Sequence, residues 1–226
     1  MVLGAEDTSE FEGRLFDQLR AKGVAVGERE LSLLQSHCAL VREWNGLCSL
    51  VSTGDVVVVW ERHVLDSLRL ALCVAGLGRG TGSLLDVGSG GGFPGIVLKV
   101  VFPGLFVTLV ERSEKKVGFL RRVVGTLGLD GIDIVCGEFP RASVGVEASI
   151  LTARAVENPK KIAKGIVSWL RGDRVFVCQT NEVAGLFSGS FHVERVDKRF
   201  HVEHVNEDWL PPHHQRGSLH LIKAAE

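Results

Sequence analysis

Five glycines fall within the eight positions from Gly88 to Gly95, inside the stretch "LLDVGSGGGFPGIVL" (residues 84–98), directly behind an apolar run that ends in Asp86. Glycine gives up more backbone freedom on folding than any other residue, so a cluster this dense signals a backbone that must turn tightly or let another molecule touch it. A loop that leaves a strand and opens a helix sets free N–H groups and the positive end of a helix dipole beside whatever binds there. The chain around it is therefore expected to form an α/β sheet with a ligand crevice at the carboxyl end of its strands.

The rest of the pattern fits that frame. From Ser83 onward, the short apolar runs "SLLDVG", "LFVTLVE", "GIDIVC", "ASILTA" and "DRVFVC" alternate with helical patterns, as buried parallel strands do. Between the second and third runs, Val117, Leu120, Val124 and Leu127 make an apolar stripe, with Ser113 placed to cap its start and Gly128 its end. The tail alternates in "SFHVERVDKRFHVEH" and closes with the strand-like "SLHLIK", which predicts a seven-stranded, mostly parallel sheet with an antiparallel strand at the finish. Before residue 80 the chain reads as helical: Leu31, Leu34, Cys38, Val41 and Trp44 share one face, and a further helix is expected through "VWERHVLDSLRLALCVAG". Two parts follow, a helical segment (1–80) packed on an α/β domain (81–226).

Composition narrows the function classes. The 226 residues are 45% hydrophobic and 23% charged, the balance of a globular domain with a sizeable core. No apolar stretch is long enough to span a bilayer, and the N-terminus is acidic where a signal peptide would be basic, so a cytoplasmic location without membrane contact is expected. Five scattered cysteines, with no C-x-x-C pair and no histidines at ligand spacing, argue against disulfides and metal. A formal net charge of -1 offers no global attraction for nucleic acid, so any such binding must come from local basic patches.

Two ligand classes compete for the loop. Gly90 to Gly95 matches the G-x-G-x-x-G of dinucleotide-binding folds, and Glu111 ends the next strand where a ribose-binding acid belongs. Counted from the strand exit at Gly88, however, Phe93 falls on the third glycine position of that fingerprint. Asp86, Gly88, Gly90 and Gly92 instead form D-x-G-x-G-x-G, the arrangement expected for S-adenosylmethionine (AdoMet), whose cationic amino group and sulfonium favour a nearby carboxylate. In that reading Glu111 accepts from the ribose hydroxyls, and Gly137 and Glu138, after the third strand, border the adenine or ribose pocket.

The motifs "RHVLDSL" (62–68), "DVGSGGGFPGI" (86–96), "LVERSEKKVGFLR" (109–121) and "TARA" (152–155) together resemble the bacterial small-subunit rRNA guanine-7-methyltransferases, the RsmG or GidB family, of the class I AdoMet-dependent, Rossmann-like fold. The resemblance implies AdoMet as cofactor, contacts to it from Gly88, Phe93, Gly137, Glu138 and Arg154, and 16S rRNA or the small ribosomal subunit as partner. Arg154 is the best candidate for positioning the reactants, since an arginine at a strand's carboxyl end faces the crevice. The sequence departs from the family pattern at Cys136-Gly137, where an arginine commonly stands, and after the fifth strand, where "CQTNEV" replaces a lysine-glycine pair.

Other residues bear on the acceptor. The segment after the fourth strand reads "TARA" in place of the [N/D]-P-P-[F/Y] of exocyclic-amine methyltransferases, and Cys136 and Cys178 read as small buried hydrophobes rather than nucleophiles. The position-7 nitrogen of guanine carries an in-plane lone pair and needs no base, which agrees with the absence of an obvious one. Lys115, Lys116, Arg121 and Arg122 around one helix, and Lys160, Lys161 and Lys164 at the start of another, are candidate RNA contacts or ordinary solvated faces. His63 and Asp66, at i and i+3, are expected first to link the helical segment to the glycine loop, with contact to the substrate as the alternative. His213, His214 and Arg216 form a basic connector. The alternatives left open are a methyltransferase acting on a small molecule or protein, a non-catalytic rRNA-binding or assembly protein on the same fold, and a nicotinamide enzyme.

Overall fold

A computed structural model describes residues 5–154, 158–179, 184, 186–187, 200–205 and 218–224. The basic connector at His213, His214 and Arg216 lies outside the described residues, as does most of the segment before the last strand pair.

The apolar runs form seven strands: β1 (Ser83–Val87), β2 (Phe106–Glu111), β3 (Ile132–Cys136), β4 (Ile150–Ala153), β5 (Val175–Cys178), β6 (Phe200–His204) and β7 (His220–Ala224). They lie in one sheet of order β3-β2-β1-β4-β5-β7-β6. Strands β1 to β5 pair in parallel and β7 runs antiparallel to both neighbours, as the sequence predicted.

Among the described residues, the helices that accompany the sheet include α1 (Ala5–Ala21), α2 (Glu28–Cys48), α3 (Leu65–Gly76), α4 (Gly95–Val101), α5 (Glu114–Leu127) and α6 (Pro159–Trp169). Helices α1 to α5 cover one face, where Leu84, Val107, Leu109 and Ile150 share a continuous core with Leu15, Leu34, Val41 and Leu68. Helix α6 covers the other, packing Ala163, Ile166 and Trp169 on Leu85, Val87, Val110 and Leu151. Because both faces of the inner strands β1, β2, β4 and β5 are buried, these run nearly continuously apolar, whereas edge strand β6 (FHVEH) alternates. The helices of the first 80 residues thus share one core with the sheet; Leu15, Leu19 and Leu34 are fully buried there, worth about 2 kcal/mol apiece in area removed from water.

The strand order reverses between β1 and β4. The chain leaving β1 enters α4 on one face, while the chain leaving β4 enters α6 on the other, so their loops diverge and open a crevice at the carboxyl ends.

Local structure departs from expectation at three points. The helix predicted from Val59 is preceded by a 3-10 turn (Thr53–Val58) and opens with a wide π turn (Trp60–Val64) before α3 proper. Ser113 precedes α5, but its hydroxyl makes no cap bond; its N–H donates to Glu111 Oε1 at 2.8 Å instead. Cys136, expected to be buried, is exposed because β3 is the edge strand, whereas Cys178 in central β5 is buried.

Candidate functional site

The loop between β1 and α4 is built by its glycines and held from behind. Gly88, Gly90 and Gly92 have φ of 70°, 53° and 85°, the left-handed region that side chains disfavour. Asp86 is fully buried beneath the loop: Thr152 Oγ1 donates to its Oδ1 at 2.8 Å and the Gly95 N–H to its Oδ2 at 3.3 Å. Burial pushes its pKa up to about 6, against the opposing pull of the Thr152 and Gly95 hydrogen bonds. Asp86 does not line the cavity in front of the loop. The expectation that its carboxylate faces a ligand's cationic groups is corrected accordingly: both oxygens are engaged behind the loop, where Asp86 ties the start of α4 to β1 and β4.

Helix α2 supplies a second clamp. His37 is fully buried, its Nε2 lies 2.8 Å from the Gly91 carbonyl, and its ring stacks on Phe93 with centroids 4.6 Å apart. Burial lowers its pKa to about 4, so the neutral imidazole donates from Nε2. Sequence reasoning missed His37, although it falls on the apolar face that contains Leu34, Cys38 and Val41.

In front of the loop lies a cavity of about 1000 Å³, large enough for a nucleoside-sized ligand. Its walls bring together Gly88, Gly90 and Phe93 from the loop, Glu111 from β2, Gly137 and Glu138 after β3, and Arg154 after β4. Glu111 is nearly buried, and its carboxylate accepts from the Gly90 N–H at 3.0 Å as well as from Ser113. Glu138, exposed at the rim, pairs with Lys161 of α6 at 2.6 Å; that hydrogen bond and charge hold its carboxyl below the usual range.

The segment between α2 and α3 closes the remaining side with Ser49 to Ser52, Asp55 and His63. His63 packs on Phe93 at 5.2 Å between centroids, and its Nδ1 meets the Arg154 guanidinium, which itself lies 5.6 Å from the Phe93 ring centroid. Asp55 reaches His63 Nε2 at 3.4 Å and receives Arg62 Nη1 at 2.8 Å. The Asp66 carboxylate accepts from Arg69 Nη1 at 3.3 Å and adds its negative charge to the surroundings of the Arg154 guanidinium, while its backbone carbonyl accepts from Gln179 Nε2 at 2.6 Å, joining α3 to the end of β5. Asp55 gave no signal in the sequence, because it is brought to His63 by the 3-10 and π turns.

The expected basic contacts separate. Lys116 and Lys161 stand at the cavity, with Lys115 and Lys160 exposed beside them. Arg121 and Arg122 are exposed on the second half of α5, roughly 10 Å farther from the cavity edge along the helix.

A glycine-lined crevice at the reversal of a seven-stranded sheet with β7 antiparallel is the architecture of class I methyltransferases. The fold is similar to the SAH-bound Podospora anserina methyltransferase PaMTH1 (TM-score 0.59, 12% identity, 100% of this chain and 99% of that one). It is also similar to MtNAS in complex with S-adenosylmethionine (TM-score 0.60, 18% identity, 86% and 73%). Within the class, residues 30–182 match GidB, rRNA small subunit methyltransferase G. Proteins named ribosomal RNA small subunit methyltransferase G are 34% identical in Sorangium cellulosum over 170 residues (70% of this chain, 71% of that protein) and 31% identical in Marinobacter nauticus over 163 (72% of each). The match to the one from Moorella thermoacetica, 34% identical over 115 residues, spans about half of either protein (51% and 47%). The chain belongs to the rRNA small subunit methyltransferase G family.

Proposed function

We propose that this chain transfers a methyl group from AdoMet to the position-7 nitrogen of a guanosine in 16S rRNA. Family membership supports the rRNA, and the crevice supports the cofactor. The residues fit AdoMet in kind: a bare backbone at Gly88 and Gly90, Glu111 for ribose hydroxyls, Gly137 and Glu138 beside them, and the Phe93 and Arg154 wall toward the acceptor. Bound there, AdoMet supplies an electrophilic methyl group on a sulfonium.

The observation that favours a ring nitrogen is the state of the ionisable groups around the cavity. Among the described residues, Glu111 is held by backbone N–H groups, Glu138 by Lys161, Asp55 by Arg62 and His63, and His63 by Arg154. Each is engaged, and none is poised to take a proton from an acceptor. The position-7 nitrogen of guanine needs no such group, so the work left to the protein is alignment and exclusion of water. Arg154 suits alignment, because its planar fork directs several N–H donors at once.

The test incubates the protein with radiolabelled AdoMet and small-subunit rRNA or subunits from cells lacking its gene, followed by digestion to nucleosides. Label in 7-methylguanosine at one site is the expected result. Label in another nucleoside, or AdoMet binding without transfer, overturns the assignment of the acceptor. Arg154→Ala is expected to lower transfer about a hundredfold while the fold melts normally; wild-type turnover in that variant removes Arg154 from the site.

A further inference from the structure

Two side chains of the segment between α2 and α3 meet the crevice without any role in the reaction assigned above. His63 Nδ1 contacts the Arg154 guanidinium, and a second nitrogen of that group, Nη1, donates to the Arg62 carbonyl at 3.4 Å. A guanidinium is rigid and planar, so fixing two of its donors fixes the direction of the rest. For His63 to accept at Nδ1, its proton must sit on Nε2, a buried atom that makes no hydrogen bond and has the Asp55 carboxylate 3.4 Å away, near enough for its negative charge to favour the proton there. Asp55 is in turn kept in place by Arg62, and by its own N–H, which donates to Ser52 Oγ at 3.2 Å. Phe93 packs against both His63 and Arg154, so the same wall of the cavity carries the whole chain of contacts.

From this geometry we propose that Asp55 and His63 are positioning residues for methyl transfer: Asp55 selects the His63 tautomer, and His63 aims Arg154 into the cavity. The inference rests on the proposed role of Arg154 in the crevice. It makes the segment before α3 part of the reaction apparatus as well as of the core. It also accounts for the π turn, which presents His63 toward β4 while Val64 and Leu65 stay buried.

A double-mutant cycle on kcat/KM tests it, using His63→Ala, His63→Asn, Asp55→Asn, Arg154→Ala and the double variant of His63→Ala with Arg154→Ala. Each alanine variant and Asp55→Asn is expected to lose about tenfold to a hundredfold, as misaligned catalytic groups do. The double variant loses no more than Arg154→Ala, and His63→Asn, with a carbonyl oxygen near the place of Nδ1, recovers part of the rate. Losses that multiply in the double variant, a wild-type rate in His63→Ala, or no gain from Asn over Ala overturns the proposal.

An NMR titration of the His63 ring reads the pair without any turnover. Burial, with the Arg154 charge second, holds this imidazole at about 4, with Asp55 opposing and Arg62 adding to the depression. In Arg154→Ala the titration is expected to move up by about one unit or more; an unmoved titration overturns the pairing. Should the wild-type protein methylate no RNA, the proposed function fails, and the titration still decides whether His63 and Arg154 act together.

Discussion

At Gly95 a Cβ would stand 2.4 Å from Leu109 Cδ2 and 2.8 Å from Asp86 Oδ2, closer than real atoms approach. The absence of a side chain lets the first turn of α4 settle onto Asp86, which receives the Gly95 N–H. Gly95→Ala must push the helix away from β1 and β2, and is expected to cost about 1–3 kcal/mol in urea unfolding together with a loss of AdoMet affinity by calorimetry. Unchanged stability would show that the helix start is slack. At this scale the glycines and Asp86 were legible from their spacing, but the part Asp86 takes was not. A carboxylate two residues before a glycine loop can face the ligand or the turn beneath it, and only Thr152, brought alongside by the pairing of β1 with β4, shows that it is the turn.

The elements that carry basic residues differ in how they meet the cavity. Helix α5 begins at the crevice and runs away from it, so Lys115 and Lys116 flank the opening and Arg121 and Arg122 do not. Helix α6 brings Lys160 and Lys161 to the opposite rim, where Lys161 is already paired with Glu138. Lys115→Glu and Lys160→Glu are expected to raise the KM for rRNA, and each lost phosphate contact should lower the slope of log affinity against log salt by about one. Arg121→Glu is expected to change far less, and AdoMet affinity to stay level in all three. An equal effect from Arg121→Glu would place the RNA along the whole of α5. The helices, the strands and their parallel pairing were readable from period and punctuation, because those are properties of neighbouring residues. The 3-10 and π turns from Thr53 to Val64 were not, since hydrophobic periodicity does not distinguish an α-helix from a wider turn leading into one.

At the scale of the whole molecule, Asp86, His37 and His63 carry the largest shifts that bear on acid stability among the described residues. Asp86, raised from 3.8 to about 6, binds its proton more tightly in the folded state, so its contribution falls as pH rises from about 4 to 6. His37 and His63, lowered from 6.5 to about 4, bind theirs less tightly when folded. Their contribution is full above 6.5 and is lost as pH falls toward 4, on the order of 3 kcal/mol each. Two histidines outweigh one carboxyl group. The unfolding free energy is therefore expected to fall as pH is lowered from 6.5 to 4, with a shallower slope in His37→Phe, measured by urea unfolding at stepped pH. A flat profile would show that the rings are solvated.

The sequence by itself determined the fold class and the place of the crevice: apolar runs of strand length, helices between them and a glycine cluster behind the first run are local patterns, and local patterns survive being read along a line. Which polar groups touch one another was decided only by the tertiary structure. His37 reaches Gly91, His63 reaches Arg154 and Thr152 reaches Asp86 across 54, 91 and 66 residues. No spacing rule connects residues so far apart; packing the helices of the first 80 residues onto the sheet, and pairing β1 with β4, brings them together.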